Sequence, residues 1–197
     1  VDDEGVCRTH AGGRAIRACV PMHTFGHPVE LDLLVATCNK WHIALVEDGV
    51  AVFGIVQAPV TGALWHGGTR LGAFRRDGER EVELRVRQPA VAPLRVAASR
   101  SHRDGRTEAF LSRMGEVETI GLGSSLKFCR IADGLLDVYP RFGPTSEWDT
   151  AAAQCVLEGA GGAVLDTDGR PFRYNQRDRI LNGDFIALGD TALPWRQ

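Results

Sequence analysis

The chain has no apolar run near the roughly 20 residues that span a bilayer, and no signal-peptide pattern opens it. It has no basic excess. Twenty-three Lys and Arg against 25 Asp and Glu leave a formal net charge of −2, which excludes the electrostatic footprint of a general nucleic-acid binder. It lacks a disulfide framework, because five cysteines are an odd number without regular spacing, and a reducing cytoplasm is the compartment expected. Internal repeats and low-complexity segments are absent too. Between Gly5 and Val29 there is not one acidic residue, while Arg, Gly and Ala are frequent.

What is present divides near residue 42. The first 42 residues hold Cys7, Cys19, Cys38, His10, His23, His27 and His42. The pairs Cys7/His10, Cys19/His23 and Cys38/His42 superficially resemble zinc spacing, but the gaps fit no standard finger and no apolar pattern supports a small zinc fold. From Ile43 the chain reads as an ordinary folded protein. With 44% hydrophobic and 24% charged residues overall, 197 residues suffice for one compact domain or two small ones.

Residues 43–87 predict an antiparallel meander. Ile43–Val46 and Val50–Val56 flank Glu47-Asp48-Gly49, a hairpin signal, since the turn needs a positive φ that glycine adopts without strain. Ala63–His66 and Leu71–Phe74 flank Gly67-Gly68 and predict a second hairpin, and Val82–Arg87 alternates as an edge strand. Beyond Pro89 and Pro93 strands and helices alternate: strand Leu94–Ala98, helix Asp104–Met114, strand Glu118–Leu122, and a helix capped by Ser124 or Ser125 that runs to Ala132. Strand Leu135–Tyr139 follows, then a helix from Thr145 or Ser146 to Glu158 and a last strand Ala163–Asp166. The pattern predicts an α+β sheet packed on an α/β lobe, divided into a divergent segment over 1–42, an antiparallel sheet over 43–92 and a C-terminal α/β lobe over 93–197.

Three segments stand out chemically. Gly123-Ser-Ser-Leu-Lys127 opens a helix, where free N–H groups and the dipole favour an anion; a capped helix with a surface lysine is the plainer reading. Arg141 sits in Tyr139-Pro-Arg-Phe-Gly143, whose rigid neighbours would aim a guanidinium fork at phosphate, or else at backbone carbonyls in the loop. Ser146-x-x-Asp149 reads as a capping-box start in which the carboxylate serves the helix N-terminus, a placement that also suits a hard cation. Ser99-Arg-Ser-His102 is by itself a polar turn after a strand.

Gly123–Cys129, Tyr139–Thr145 and Trp148–Ala152, occurring in that order, resemble the 3′(2′),5′-bisphosphate nucleotidases of the CysQ type, which are inositol-monophosphatase-like, metal-dependent phosphatases. The resemblance runs over about residues 43–190. It implies a layered, sugar-phosphatase-like α/β sandwich whose N-terminal part is truncated or divergent. It further implies Mg²⁺-dependent removal of the 3′-phosphate of adenosine 3′,5′-bisphosphate, with Asp149 as a metal ligand and Ser99, His102, Gly123, Ser124, Ser125, Lys127 and Arg141 as nucleotide contacts. The partner is a small nucleotide rather than a nucleic-acid polymer. An inositol or sugar phosphate, or nucleotide binding without turnover, are the alternatives. The family's Asp-Pro-hydrophobic-Asp-Gly-Thr motif is expected near residues 24–29, where this chain has Thr24-Phe-Gly-His-Pro-Val29, with Glu30 and Asp32 off register. Residues 1–42 therefore read as aberrant, with marginal stability expected.

Overall fold

The computed structural model describes residues 18–19, 44–47, 50–98, 105–123, 125–176 and 179–196. The expectations for residues 1–42 lie almost wholly outside the described residues. The first sheet contains β1 (Ala18–Cys19), β2 (Ala44–Glu47), β3 (Val50–Gln57), β4 (Leu64–Gly68), β5 (Gly72–Asp77) and β6 (Arg80–Glu83), in chain order across the sheet. From β2 onward every strand pairs antiparallel with the next, the meander that the apolar runs predict.

The second sheet is mixed. Its members are β7 (Leu94–Ala98), β8 (Val117–Gly121), β9 (Val138–Arg141), β10 (Ala163–Asp166) and β11 (Phe185–Leu188), in the order β10-β11-β9-β7-β8. β7 is parallel to β8 and β9, whereas β11 runs antiparallel to β9 and β10. The α-helices among the described residues are α1 (Gly105–Arg113), α2 (Leu126–Ala132) and α3 (Ala151–Gly159).

The core shows how these parts stack. Phe128 and Ile131 of α2 and Cys155 and Leu157 of α3 pack against Ala97, Tyr139, Phe185 and Ala187 of the second sheet. The opposite sides of the same helices, Cys129, Ala132, Val156 and Ala160, pack against Trp65, Ala73 and Leu84 of the first sheet and the segment that follows it. So α2 and α3 fill the space between two sheets, while Phe110 and Leu111 of α1 cover Val96, Val138 and Ile186 on the far face of the second. This is the layered α/β arrangement expected from the sequence.

Close approach of helix to sheet depends on glycine. A Cβ at Gly54 of β3 would overlap the backbone of Ala152 in α3. Gly54→Val is therefore expected to lower unfolding free energy by about 2–3 kcal/mol through overpacking. Urea titration with an unchanged m-value would register this, and a loss below about 0.5 kcal/mol would contradict the packing.

The structure corrects several boundaries. Gly67 and Gly68 are not a turn but the end of β4, because a side chain at either would run into the backbone of β5 or β3. The chain reverses at residues 69–71, where Leu71 N–H donates to Gly68 O at 2.9 Å. The edge strand is Arg80–Glu83 rather than Val82–Arg87, since Leu84 turns inward beneath the helices. Leu135 and Leu136 donate back to Arg130 O and finish the helix, which delays the strand to Val138–Arg141. The long helix expected from Thr145 or Ser146 is a 3₁₀ turn, Glu147–Asp149, followed by α3, broken at Thr150 with φ −125°. Ala163–Asp166 is not the last strand: β11, buried along its whole length, comes later in sequence and lies between β10 and β9.

Candidate functional site

The candidate residues Ser125, Lys127, Arg141 and Asp149 gather where α2, β9 and the 3₁₀ turn meet. Lys127 lies in the first turn of α2 and is only 5% exposed, so the reading of a surface lysine is overturned. Its Nζ stands 4.6 Å from the centroid of the Tyr139 ring, a cation–π distance. Burial first, and the nearby Arg141 guanidinium second, lower the Lys127 ammonium to about 8. The Tyr139 phenol is pushed up by its burial, with Arg141 opposing the rise and Asp149 adding to it. Tyr139, Lys127, Arg141 and Asp149 thus share one electrostatic neighbourhood.

Strand alternation explains part of this convergence. Tyr139 and Arg141 point to the face of β9 that carries α2, and register sets Phe185 opposite Arg141 and Ala187 opposite Tyr139 on β11. Phe128, one residue after Lys127, meets Tyr139 edge to face at 5.3 Å and stacks on Phe185 at 5.6 Å, which fixes the start of α2 against the sheet. At the other end of α2, Asp133 accepts a hydrogen bond from Trp65 Nε1 at 2.8 Å and pairs with Arg130 Nη1 at 3.0 Å. Both ends of the helix that carries Lys127 are therefore anchored.

Ser125 does not cap that helix with its side chain. Its Oγ donates instead to the main-chain oxygen of Asp149 at 2.9 Å, tying α2 to the 3₁₀ turn. At seven residues α2 has a weak dipole, so positive charge here comes mainly from Lys127 and Arg141. Arg141 Nη2 donates to Pro144 O at 3.0 Å, whereas among the described residues its buried Nε has no hydrogen-bond partner. Gly123 is exposed, and among the described residues nothing lies within 4 Å of where its Cβ would be.

Asp149 Oδ2 accepts the Ser146 N–H at 2.8 Å, the carboxylate half of the expected capping box. Among the described residues Oδ1 has no hydrogen-bond partner, and no three His, Cys, Asp or Glu side chains come together as a metal cage. Asp149 by itself fits one coordination position, not a multi-ion centre. Ser99, His102 and Ser124 lie outside the described residues.

Asn182 is a further residue of this region that the sequence does not single out. Buried, it donates through Nδ2 to Thr145 Oγ1 at 3.0 Å, Ser146 O at 2.9 Å and Thr150 Oγ1 at 3.0 Å, and so shapes the loop that holds Asp149. No local signal marks it, because its partners are more than 30 residues away.

A family model described as the inositol monophosphatase family matches residues 41–190. The chain belongs to that family. The CysQ 3′(2′),5′-bisphosphate nucleotidase of Escherichia coli strain K12 is 40% identical over 145 residues, covering 73% of this chain and 57% of the relative. The Haemophilus influenzae CysQ enzyme is 31% identical over 156 residues, covering 78% of this chain and 58% of the relative. Among solved structures, CysQ from Bacteroides thetaiotaomicron, a bacterial member of the inositol monophosphatase family, superposes with a TM-score of 0.66 at 27% identity, over 88% of this chain and 76% of that one. The CysQ-type resemblance read from the Gly123, Tyr139 and Trp148 segments is borne out. The chain spans a little over half the length of the curated relatives it matches. Among the described residues no helix is long and apolar enough to cross a membrane.

Proposed function

We propose that the cluster around Tyr139 is the nucleotide-binding part of a 3′(2′),5′-bisphosphate nucleotidase site, with adenosine 3′,5′-bisphosphate as ligand and Mg²⁺-dependent release of its 3′-phosphate as the reaction. The observation that carries this reading is the convergence of a buried ammonium and a guanidinium, Lys127 and Arg141, on one neighbourhood beside the Asp149 carboxylate. Two cations held this close repel each other, a cost that a phosphate dianion would remove. Among the described residues Arg141 Nε is an unspent donor, and none of them fills the space beside Gly123, where a ligand could approach the backbone. In this reading Ser99, His102, Gly123, Ser124, Ser125, Lys127 and Arg141 hold the nucleotide, and Asp149 holds metal.

A second reading is favoured by a specific observation. Among the described residues Asp149 is a lone acid with one oxygen engaged, so they do not fit a multi-ion centre and no hydrolytic step through metal is derived from them. Binding without turnover is the reading that follows from this. One experiment separates the two: phosphate release from adenosine 3′,5′-bisphosphate across a Mg²⁺ titration, with calorimetric binding alongside. The enzyme reading expects release that rises with Mg²⁺ and falls by at least about 100-fold in Asp149→Asn. Binding with no release at any Mg²⁺ concentration would leave the second reading standing, and absence of binding would remove both.

A further inference from the structure

A second concavity lies on the other face of the second sheet. Ile186 alternates with Phe185 and Ala187 and so faces away from Tyr139, towards α1. There it forms, with the buried Phe110 and Trp195, the floor of a cleft of about 250 Å³, walled by Phe142 and Thr167 and flanked by Arg113 and Arg196. The volume is below the ~300–1,000 Å³ of pockets for drug-sized ligands, so one ring with a short substituent is the size it admits.

The charged side chains that line this cleft are both basic. Both Arg113 and Arg196 are exposed, and neither forms an ion pair with a described residue. The carboxylates adjacent in sequence are already engaged. Asp184 is paired with Arg106 Nη1 at 2.6 Å, Asp168 with Arg170 at 3.0 Å, and Asp166 Oδ1 accepts the main-chain N–H groups of Asp168 at 2.9 Å and Arg170 at 2.8 Å. Arg196 is held in place, its guanidinium 5.1 Å from the Trp195 ring centroid and filling the space that a side chain on Gly169 would need. Arg106, over the Phe142 ring at 5.4 Å, is committed to Asp184.

We propose that this cleft is a binding site for a small aromatic carboxylate, its ring on the Phe110, Ile186 and Trp195 floor and its acid between Arg113 and Arg196. An apolar floor fixes the ring by burial and stacking, and a guanidinium pair at the rim matches a carboxylate. The site is separate from the Lys127 cluster and does not depend on the function proposed for it.

Benzoate and its neutral analogue benzamide test this by saturation-transfer NMR on the whole chain, with inorganic phosphate added as a competitor of benzoate. Benzoate is expected to bind at about millimolar concentration, with benzamide at least about tenfold weaker and an equal concentration of phosphate leaving the benzoate signal unchanged. The double variant R113Q/R196Q, checked for an intact fold by thermal melt, is expected to lose about tenfold in benzoate affinity. Lys127→Met is expected to retain it. Equal binding of benzamide would reduce the cleft to an apolar slot, and displacement of benzoate by an equal concentration of phosphate to a simple anion site. Unchanged affinity in the double variant, or loss in Lys127→Met, would place the benzoate elsewhere; each of these four results overturns the proposal.

Discussion

Replacing Lys127 with methionine is expected to weaken adenosine 3′,5′-bisphosphate binding by about 10- to 100-fold, the range for losing one charge-assisted hydrogen bond to phosphate. The same change is expected to leave the fold intact or slightly firmer. Lys127 is buried against Tyr139 beside Arg141, a setting that disfavours its charge. Methionine keeps the stem and removes the penalty. The pH dependence carries a definite sign. With an ammonium lowered to about 8 in the folded chain from 10.5, the folded state releases its proton first as pH rises. The unfolded state then binds more protons between those values, so this group makes the protein more stable as pH climbs from about 8 to 10.5. Ligand binding is expected to run the other way, because phosphate would favour the charged amine and affinity would then decline above about pH 8. Calorimetry at pH 7 and pH 9 in buffers of different ionisation enthalpy would reveal proton uptake on binding at the higher pH. A pH-independent affinity, or an unaltered one in Lys127→Met, would remove Lys127 from the site.

The largest effect on stability is expected at Asp137. It has no exposed surface, yet it accepts hydrogen bonds from Arg87 Nε at 2.8 Å and from the main-chain N–H of Arg95 at 2.7 Å, and it pairs with Arg87 Nη2. Arg95 Nε adds a contact at 3.6 Å. These bonds join the segment after β6 to β7 and the entry of β9, three stretches that share no local sequence. Asp137→Ala leaves two guanidinium groups, each roughly a quarter exposed, facing an empty acceptor site. The expected loss is about 3–5 kcal/mol, the cost of breaking a buried ion pair from one side. For a chain of this size that corresponds to a fall in Tm of about 6–20 °C. Arg87→Met is expected to cost less, because Arg95 still faces the carboxylate. Thermal and urea unfolding that place Asp137→Ala within about 1 kcal/mol of wild type would show that solvent or relaxation replaces Arg87 and Arg95 at little cost.

Much of the architecture was legible because the signals are local. Apolar runs separated by glycine turns predict the meander, and the glycines before Leu126 and after Ala132 bracket α2 within a few residues. The failures share a different cause. Gly67-Gly68 looks like a turn by composition, but the pair serves close strand contact, which depends on what packs above it. β11 is four apolar residues, too short to show a period, and its place between β10 and β9 comes from antiparallel pairing with strands about 20 and 45 residues earlier. The 3₁₀ turn before α3 departs from a continuous helix where Asn182 draws in Thr145, Ser146 and Thr150.

The same division holds for the site. The sequence by itself determined the family: Gly123–Cys129, Tyr139–Thr145 and Trp148–Ala152 in order pointed to CysQ-type relatives, and Lys127, Arg141 and Asp149 were named from them. It also supplied the one candidate metal carboxylate in these segments, and the absence of the expected acidic motif at residues 24–29. Only the tertiary structure decided that Lys127 is buried rather than solvated, that it rests on Tyr139, and that Ser125 bonds to Asp149 instead of capping its own helix. The physical reason is range. Turn chemistry and apolar periodicity act between residues a few positions apart, whereas burial, charge repulsion and a lowered pKa arise from groups that only the folded chain brings together.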